Sequence, residues 1–452
     1  MTQAEPPGLW IKDPLAILAD GAARGIVVRG GRIAELVPAG RTPATPDLKT
    51  FDAGSHVVLP GLINTHHHFY QTLTRAVPAA LDRELFSWLQ TLYPIWARLT
   101  PETLHLAVTL AMAELMLSGC TTSTDHHYVF PAGAEDSIDI EVAAAKRVGL
   151  RVLLTRGSMN LSQRDGGLPP DSVVQDEDTI LADSERVVAR YHDAGPDAMV
   201  QIALAPCSPF SVTTSLMRAT AALAQRLDVR LHTHLAETED ENRFCEQLYK
   251  CRPLDYLEDC GWLSERTWLA HGIHFNPDEI KRLARAGTAV SHCPCSNQTL
   301  ASGTCPVCAM EDAGMRVGIG VDGSASNDGS NLMQEVRAAF LLQRGRYGVS
   351  QVSHKDALRW ATKGSAVCVG RGDIGEIKVG AHADLALFKL DEPRFSGSGD
   401  PLAALVLCGA HRADRIMIGG HWTVENGEIA GLDLGDLARR HSAAAKKLQG
   451  AG

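Results

Sequence analysis

Apolar and polar residues alternate near the beginning of the chain, in the pattern of short strands joined by turns. Residues 25–37, GIVVRGGRIAELV, alternate on both sides of a Gly-Gly turn, and residues 56–65, HVVLPGLINT, form a nearly continuous apolar run. Period-two alternation about such a turn is typical of a β-hairpin, and a continuous apolar run is typical of a buried strand. The first 59 residues therefore predict a small β layer that leads into a buried segment.

The pattern changes from about residue 60 to residue 371, where apolar runs of strand length alternate with helical stretches. Two of the helical stretches are TLHLAVTLAMAELMLSG (103–119) and PDEIKRLARAG (277–287). The apolar runs are GLINTHH (61–67), TSTDHH (122–127), RVLLTRG (151–157), VQIALAP (200–206), VRLHTHLAE (229–237), TWLAHGI (267–273), AVSHCP (289–294) and VGIGVDG (317–323). Eight strands alternating with helices predict an α/β fold, a (β/α)₈ or TIM barrel.

Strand patterns return from about residue 372 onward. They are ADLALFKLD (383–391), ADRIMIGG (413–420) and HWTVENGEIAG (421–431), and the last contains an Asn-Gly hairpin signal. Two β-rich ends that flank a barrel predict one composite domain. We therefore expect residues 1–59 and 372–452 to form a small β-sandwich domain, and residues 60–371 to form the catalytic barrel.

Composition and charge narrow the class of protein. Hydrophobic residues make up 45% of the chain and charged residues 21%. The formal net charge is -10, and the charged residues are spread along the chain without basic runs. A nucleic-acid partner or an anionic membrane is therefore not expected. The start, MTQAEPPGLWIKDP, has no basic segment followed by an apolar one, and no run of about 18 apolar residues occurs. We expect a cytoplasmic protein.

The eleven cysteines are scattered through predicted strands and helices, where reduced cysteine behaves as a small hydrophobic residue. One cluster, CPCSNQTLASGTCPVC (293–308), imitates the paired spacing of zinc ligands. Its first pair is C-x-C and the intervening stretch is short for a zinc ribbon. Packing and loop chemistry is therefore the preferred interpretation of these cysteines, and a structural zinc site is the alternative.

Three consecutive histidines stand at the end of the first predicted barrel strand. Alternation along a strand sends His66 and His68 to one face and His67 to the other. Two imidazoles on one face can share a metal ion, whereas the middle one would have to twist the strand to join them. We therefore predict that His66 and His68 are metal ligands and that His67 packs or hydrogen-bonds behind them, with buried structural histidines as the alternative.

Polar residues also collect at the ends of other predicted strands, which is the face where barrel enzymes place their reactive groups. Taken singly, each has an ordinary structural explanation, and for His232 and His274 that explanation is preferred. Together they form a set of imidazoles and carboxylates that suits a catalytic zinc with one open position. The set comprises His232, His234, Glu237, His271 and Asp322.

Seven strings resemble the amidohydrolase superfamily, in the triazine-type branch of enzymes that deaminate purines, pterins, pyrimidines and triazines. They are LPGLINTHHH, GCTTSTD, LHTHLAET, AHGIHF, SHCPCSN, VGIGVDG and GDIGEIKVGAHADLALF, and they span nearly the whole chain. Further strings resemble the bacterial 8-oxoguanine deaminases most: INTHHHFYQTLTRA, DHHYVFP, LTRGSMNL, DGGLPPDSVVQ, APCSPFSV and FKLDEPRFSGSGDPL.

The resemblance implies one zinc ion and a set of residues around it. The implied ligands are His66, His68, His234 and Asp322, and Glu237 and His271 would work beside the metal. Relatives with two metals carry a bridging carboxylated lysine on the fourth strand, and VQIALAPCSPF (200–210) contains no lysine. A single zinc, or Fe²⁺ in its place, is therefore expected. Cys295 departs from the small polar residue of many relatives, and we expect it to pack.

These groups imply a hydrolytic deamination. Zinc lowers the pKa of its bound water towards about 7, so a hydroxide forms that can attack an amino-bearing ring carbon. Asp322 would accept the water proton, His271 would orient the attacking oxygen and Glu237 would protonate the ring nitrogen before ammonia leaves.

Three further residues are candidates for substrate binding. Gln71 can donate and accept hydrogen bonds at once, which suits the amide edge of a lactam ring. Arg156 and Ser158 end the third barrel strand and either meet a ring carbonyl or serve the structure.

The substrate implied by the resemblance is a small free base, and 8-oxoguanine, giving urate and ammonia, is preferred. Base-flipping zinc deaminases use H-x-E and P-C-x-x-C, whereas this chain has H-x-x-E after His234 and lacks the second motif. Isoxanthopterin, guanine or an aminated hydroxytriazine offer the same amidine carbon and stay open. A catalytically inactive scaffold is the alternative from another class. Barrels of this family often pair, so a homo-oligomer is expected.

Overall fold

The computed structural model describes residues 7–450 and contains eighteen strands within that range. The strands that precede the barrel are β1 (Gly8–Lys12), β2 (Ala16–Ile17), β3 (Gly25–Arg29), β4 (Arg32–Leu36), β5 (Leu48–Asp52) and β6 (His56–Pro60). The barrel strands are β7 (Leu62–Asn64), β8 (Cys120–His127), β9 (Arg151–Ser158), β10 (Val200–Pro206), β11 (Arg230–Leu235), β12 (Thr267–His271), β13 (Ala289–His292) and β14 (Arg316–Ile319). The final strands are β15 (Leu385–Lys389), β16 (Arg415–Ile418), β17 (His421–Glu425) and β18 (Glu428–Ile429).

The eight central strands form one parallel sheet in sequential order, from β7 to β14. Backbone hydrogen bonds from Thr65 N to Ile319 O and from Asp322 N to His66 O, each 3.0 Å long, join the last strand to the first. Each of the eight predicted strands is present in the expected order. The (β/α)₈ barrel prediction is therefore confirmed.

Helices surround the barrel and follow its strands. They are α1 (Leu85–Trp96), α2 (Pro101–Leu117), α3 (Ser137–Val148), α4 (Glu177–Tyr191), α5 (Thr214–Leu227), α6 (Glu239–Leu248), α7 (Pro253–Asp259), α8 (Pro277–Ala286), α9 (Pro294–Thr299), α10 (Val307–Asp312), α11 (Leu332–Tyr347), α12 (His354–Arg359), α13 (Ser365–Cys368), α14 (Pro401–Leu407) and α15 (Leu434–Gln449). Both helices predicted from the apolar pattern begin at a capping box followed by proline: Thr100 with Thr103 caps α2, and Asn276 with Glu279 caps α8.

The remaining strands form two sheets built from both ends of the chain. One has the order β4-β3-β1-β5, and the other has the order β18-β17-β16-β15-β6-β2. Strand β6 pairs antiparallel with β15, which links the first part of the chain to the last. Their shared apolar core includes Ile26, Val58, Leu385 and Met417. The additional β-sandwich is confirmed, while its division from the barrel at residues 59 and 372 stays a prediction.

The final helix, α15, was not predicted from the sequence, and it packs against α2 and the 3-10 helix Phe69–Thr74 on the barrel. His441 Nε2 lies 3.1 Å from Thr72 Oγ1, and Gln449 Nε2 donates to Leu73 O at 2.7 Å. The end of the chain therefore supports the turn that directly follows the three histidines.

One end of the barrel is closed by its own side chains. Ile63, Leu153 and Trp268 form a buried cluster with Val369 and Ile374, which follow α13. The opposite end, where the strands finish, carries the polar residues discussed below. Among the helices of residues 7–450, none is both long enough and apolar enough to cross a membrane.

Candidate metal centre and active site

Four of the residues predicted as metal ligands meet at the ends of three strands of the barrel. His66 Nε2 and His68 Nε2 lie 3.3 and 3.2 Å from Asp322 Oδ1, and His68 Nε2 lies 3.2 Å from His234 Nε2. All four side chains are buried. The strands therefore bring together, at one point, three imidazoles and a carboxylate from distant parts of the sequence.

The second ring nitrogen of two of these histidines is occupied by a backbone carbonyl. His68 Nδ1 donates to His126 O at 2.8 Å, and His234 Nδ1 donates to Cys207 O at 2.7 Å. A carbonyl can only accept, so each Nδ1 carries the proton and each Nε2 keeps its lone pair. Two acceptor nitrogens facing each other at 3.2 Å are unfavourable unless a cation lies between them.

The third imidazole is fixed by a chain of two hydrogen bonds. His232 Nδ1 lies 2.8 Å from Trp268 O and must donate to it, which leaves His232 Nε2 as an acceptor. His66 Nδ1 lies 2.8 Å from that nitrogen and therefore donates to it. His66 Nε2 is left with a free lone pair, and it has no hydrogen-bond partner within the described part of the chain. His232, given a structural role above, thus determines the tautomer of His66.

This donor set fits a zinc ion. Neutral imidazole nitrogens and a carboxylate oxygen are zinc ligands, and hydrogen bonds at the other ring nitrogen are the usual means by which proteins orient such histidines. Burial alone would raise the pKa of Asp322, but the close approach of the His66 and His68 imidazoles holds it well below its usual range. The carboxylate is therefore ionised, as a metal ligand must be.

Strained backbone surrounds the cluster. Ala236, His271 and Asp322 have φ angles of 55°, 71° and 63°, a region that non-glycine residues rarely adopt. Each follows or ends a barrel strand, where the left-handed turn redirects the chain across the mouth of the barrel. Such strain persists only where the surrounding structure determines it, and it is concentrated at functional sites.

Glu237 and His271 lie beside the four clustered side chains. His271 Nδ1 is 2.8 Å from Asn297 Oδ1 and donates to it, so His271 Nε2 points into the site as an acceptor. That nitrogen lies 3.4 Å from Glu237 Oε2 and 3.9 Å from Asp322 Oδ2. Burial, and then the Asp322 carboxylate, raise the pKa of Glu237 well above its usual range. An acid able to give up a proton thus faces a base.

His67 lies behind the cluster, as the alternation along the strand predicts. Its Nδ1 accepts a hydrogen bond from the backbone nitrogen of His68 at 2.7 Å. Its ring stands edge-on to Phe69 at 4.9 Å between centroids. Its position is that of a side chain supporting the turn.

A narrow pocket opens directly over these groups. Gln71 lines it, and Gln71 Oε1 is buried without a hydrogen-bond partner among the described residues. Gly323 gives this amide its space, because a Cβ at that position would lie 1.9 Å from Gln71 Oε1. The remaining wall is largely apolar and is formed by Leu85, Trp88, Leu89, Tyr128, Cys207, Phe210 and Leu300.

Two predicted substrate contacts are corrected by the structure. Arg156 points out of the barrel, where its guanidinium donates to Asp183 at 2.7 Å and to Gln175 at 2.9 Å. Ser158, two residues later on the same face of β9, is buried and is not part of the pocket lining. Cys295 is also outside the lining, and its backbone nitrogen donates to Glu335 at 3.0 Å.

The sequence did not reveal several residues that support the site. Cys207 and His126 orient His234 and His68 through their backbone carbonyls. Every residue type has such a carbonyl, so the sequence does not show this role. Ser296 donates to Asp322 Oδ2 at 2.6 Å. Trp88, on α1, closes the pocket from a helix that lies outside the barrel strands. His126, Cys207 and Ser296 stand in the strings DHHYVFP, APCSPFSV and SHCPCSN, which indicated these segments but not the roles of the three residues.

A second buried polar cluster lies behind the three histidines. Asp125 Oδ1 accepts a hydrogen bond from Phe69 N at 2.6 Å, and His127 Nδ1 lies 3.0 Å from Glu141 Oε1. All three side chains of Asp125, His127 and Glu141 are fully buried. Burial raises the pKa of Glu141 to about 8 and lowers that of His127 to about 4. Glu141 therefore holds a proton at neutral pH.

Replacing Glu141 by glutamine should flatten the dependence of stability on pH. Glutamate titrates near pH 4.3 in an unfolded chain, so between about pH 5 and pH 8 the folded wild-type protein binds more protons than the unfolded one. Its free energy of unfolding should therefore fall as pH rises, by up to ~1.4 kcal/mol per unit. Melting temperatures across this range test the variant, with exposed Glu428→Gln as control. Parallel curves for Glu141→Gln and wild type would contradict the assignment.

Comparison with known proteins gives four consistent results. The sequence model of the Amidohydrolase family matches residues 57–423. The chain is 61% identical over 442 residues to the 8-oxoguanine deaminase of Pseudomonas aeruginosa, covering 97% of this chain and 98% of that protein. It is 37% identical over 406 residues to an isoxanthopterin deaminase from an unknown prokaryotic organism, covering 85% and 84%. A crystal structure of atrazine chlorohydrolase from Arthrobacter aurescens with zinc has a TM-score of 0.91 at 32% identity, covering 97% and 100%.

Proposed function

The chain belongs to the amidohydrolase family, and from this membership and the geometry of the site we propose that it deaminates 8-oxoguanine. In this reaction water replaces the ring amino group, and the products are urate and ammonia. The observation that carries the proposal is the pocket itself. There an acid, a base and an ionised carboxylate converge below an amide with an unpaired acceptor, in a chain 61% identical to an 8-oxoguanine deaminase.

The metal would be held by Nε2 of His66, His68 and His234 and by the carboxylate of Asp322. Zinc bound there would act as a Lewis acid that makes water acidic enough to attack at neutral pH. Fe²⁺ is the alternative ion for the same ligands. The zinc in the similar atrazine chlorohydrolase structure and the lone pairs presented by this chain both support zinc.

The chain's own residues would move the protons. Asp322 accepts a proton from the attacking water, and His271 Nε2 orients that water through the lone pair that its bond to Asn297 leaves free. Glu237 donates a proton to the ring nitrogen next to the amino-bearing carbon while that carbon becomes tetrahedral. Asp322 then passes the proton that it took from water to the amino group, which leaves as ammonia. As the carbonyl forms, the hydroxyl proton returns to Glu237, so both carboxyl groups regain their starting states.

Gln71 would recognise the ring. Its Oε1 has no partner among residues 7–450 and can accept a hydrogen bond from a ring N–H. The amide nitrogen, Nε2, can donate a hydrogen bond to a ring carbonyl. An acceptor left unpaired in a buried site is costly, so a substrate lacking the N–H would bind less well. The flat apolar wall formed by Trp88 and Phe210 suits a planar ring.

Isoxanthopterin deamination is the second candidate, because the isoxanthopterin deaminase is 37% identical to this chain and its named substrate offers the same kind of amino-bearing carbon. Guanine and aminated hydroxytriazines share that chemistry. An inactive scaffold is disfavoured, since every proposed ligand and proton-transfer position is filled. A cytoplasmic location and a homo-oligomeric state stay predictions of the sequence.

The zinc-loaded protein is expected to release ammonia from 8-oxoguanine with a kcat/KM at least about tenfold above that for guanine, isoxanthopterin or an aminated hydroxytriazine. A polar site discriminates strongly against a ring that leaves its hydrogen-bonding groups unpaired. Coupled ammonia detection on the four substrates tests this prediction. Preference for another ring would move the proposal to that substrate, and no turnover of any ring with zinc bound would refute the deaminase assignment.

A further inference from the structure

A second depression, open to solvent, adjoins the catalytic pocket. Leu85 and Leu300 line both, and their side chains are buried, with 5% and 6% of the residue surface exposed. The other residues of the second depression, named here the vestibule, are Glu84, Thr238, Glu239, Asp240, Arg243, His274, Ala301 and Ser302. The two leucines thus form the boundary between the pocket and the vestibule.

The pocket and the vestibule differ in chemistry. On the side of the leucines, the catalytic pocket is walled by Trp88, Leu89 and Phe210, which offer little to a hydroxyl group. The vestibule is polar, and in it His274 Nδ1 lies 2.9 Å from Glu239 Oε1. A group rich in hydroxyls would therefore be disfavoured in the pocket and accommodated in the vestibule.

Two hydroxyls of the vestibule have unused hydrogen-bonding capacity. Thr238 Oγ1 and Ser302 Oγ are both buried and have no hydrogen-bond partner in the described part of the chain. His274 Nε2 donates to the backbone oxygen of Ser302 at 2.9 Å, which holds this residue in place. Buried hydroxyls are normally paired, so each of these two would gain a hydrogen bond from a polar group that reached it.

We propose that Leu85 and Leu300 restrict the catalytic pocket to free bases by separating it from a vestibule that would otherwise accept a sugar. This inference rests on the proposed deamination. A ring whose amino-bearing carbon lies against Glu237 and Asp322 turns its opposite edge towards the apolar wall. A ribose on that edge would meet the two leucines, and its hydroxyls would be buried without partners.

The proposal is tested by opening the boundary. Leu300→Ala and Leu85→Ala are compared with Leu89→Ala, which enlarges the catalytic pocket from a position that does not line the vestibule. Each zinc-loaded protein is assayed with 8-oxoguanine and with its ribonucleoside, and the readout is the ratio of the two kcat/KM values. Equilibrium dialysis of the ribonucleoside adds a measurement of binding that does not depend on turnover.

We expect the nucleoside-to-base ratio to rise at least about 100-fold in the two boundary variants and to change little in Leu89→Ala. Ser302→Ala added to Leu300→Ala should lower the ratio again, because it removes a hydroxyl partner from the vestibule. Leu300→Val, a smaller change that keeps a packed core, should raise the ratio less than Leu300→Ala and guards against loss of folding.

Three results would overturn the proposal. The first is a wild-type protein that binds and deaminates the ribonucleoside as well as the base. The second is an equal gain in Leu89→Ala, which would indicate general loosening of the pocket. The third is boundary variants that still deaminate the base but show neither turnover nor binding of the nucleoside. Failure of the wild type on all free bases would instead refute the proposed function, and the dialysis result would still decide the role of the boundary.

Discussion

Glu237→Gln is expected to lower kcat by about 10²–10⁴-fold while the protein retains its full zinc content. General acid–base groups contribute rate factors on that order. The amide has the shape of the carboxyl group and can keep the contact with His271, but it cannot release a proton to the ring nitrogen. The substitution therefore removes the proton transfer and leaves the geometry of the site.

Two structural features separate this effect from damage to the metal site or to the fold. Glu237 Oε2 lies 3.4 Å from His271 Nε2, outside the cluster of His66, His68 and Asp322. The carboxyl is also buried and, since the pKa of Glu237 is raised well above its usual range, already uncharged in the folded protein. A neutral amide should fit there at little cost in stability.

Glu241→Gln is the matched control. Glu241 is buried four residues further on, and its Oε2 accepts a hydrogen bond from the backbone nitrogen of Glu237 at 2.9 Å. A glutamine oxygen can still accept that bond, so kcat should fall much less than in Glu237→Gln. Zinc content, melting temperature and kcat measured on both variants decide the matter. Near wild-type turnover in Glu237→Gln would show that another group supplies the proton.

The sequence was sufficient to predict the barrel because each strand is an apolar run that ends in residues of a different kind. β11, for example, contains His232 and His234, and Asp322 follows β14 by three residues; no apolar core would otherwise require these side chains. The separation of His67 from His66 and His68 was also predicted from local alternation, and it holds although β7 ends at Asn64 and the three histidines follow the strand. Both inferences depend on short-range patterns.

Features that depend on distant segments could not be predicted in this way. The carbonyl of Cys207 orients His234 only because β10 and β11 are neighbours in the sheet. Helix α15 has only three large apolar residues, Leu434, Leu437 and Leu448, and it contacts Thr72 and Leu73, which lie more than 350 residues earlier.

The misassignment of Arg156 has a local explanation. Leu153 of β9 lies in the barrel interior, whereas Val152 and Leu154 pack in the layer between strands and helices. Arg156 has the same parity as Val152 and Leu154, so alternation already directs its side chain outward, towards Asp183 of α4. Alternation of side chains along the strand was used to distinguish His67 from His66 and His68. Applied to β9, the same rule directs Arg156 away from the substrate.

His68→Ala should lower zinc affinity by more than about 100-fold and abolish turnover. Loss of a group that merely orients a ligand already costs about 10–100-fold, and His68 presents its own lone pair to the site. His232→Ala, which removes only the partner of His66 Nδ1, should therefore fall between His68→Ala and the wild type. Metal content after dialysis against a graded zinc buffer measures all three proteins.

His67→Ala is the control for His68→Ala, because it removes the same side chain from the preceding position in the chain. Its loss leaves the His68 backbone nitrogen without its acceptor and should destabilise the protein by about 1–3 kcal/mol. Zinc affinity should stay near the wild-type value, because His67 lies behind the turn. His67→Ala is thus expected to lower stability without loss of zinc, and His68→Ala is expected to lose zinc. If His67→Ala loses zinc as His68→Ala does, the assignment of ligands by strand parity is wrong.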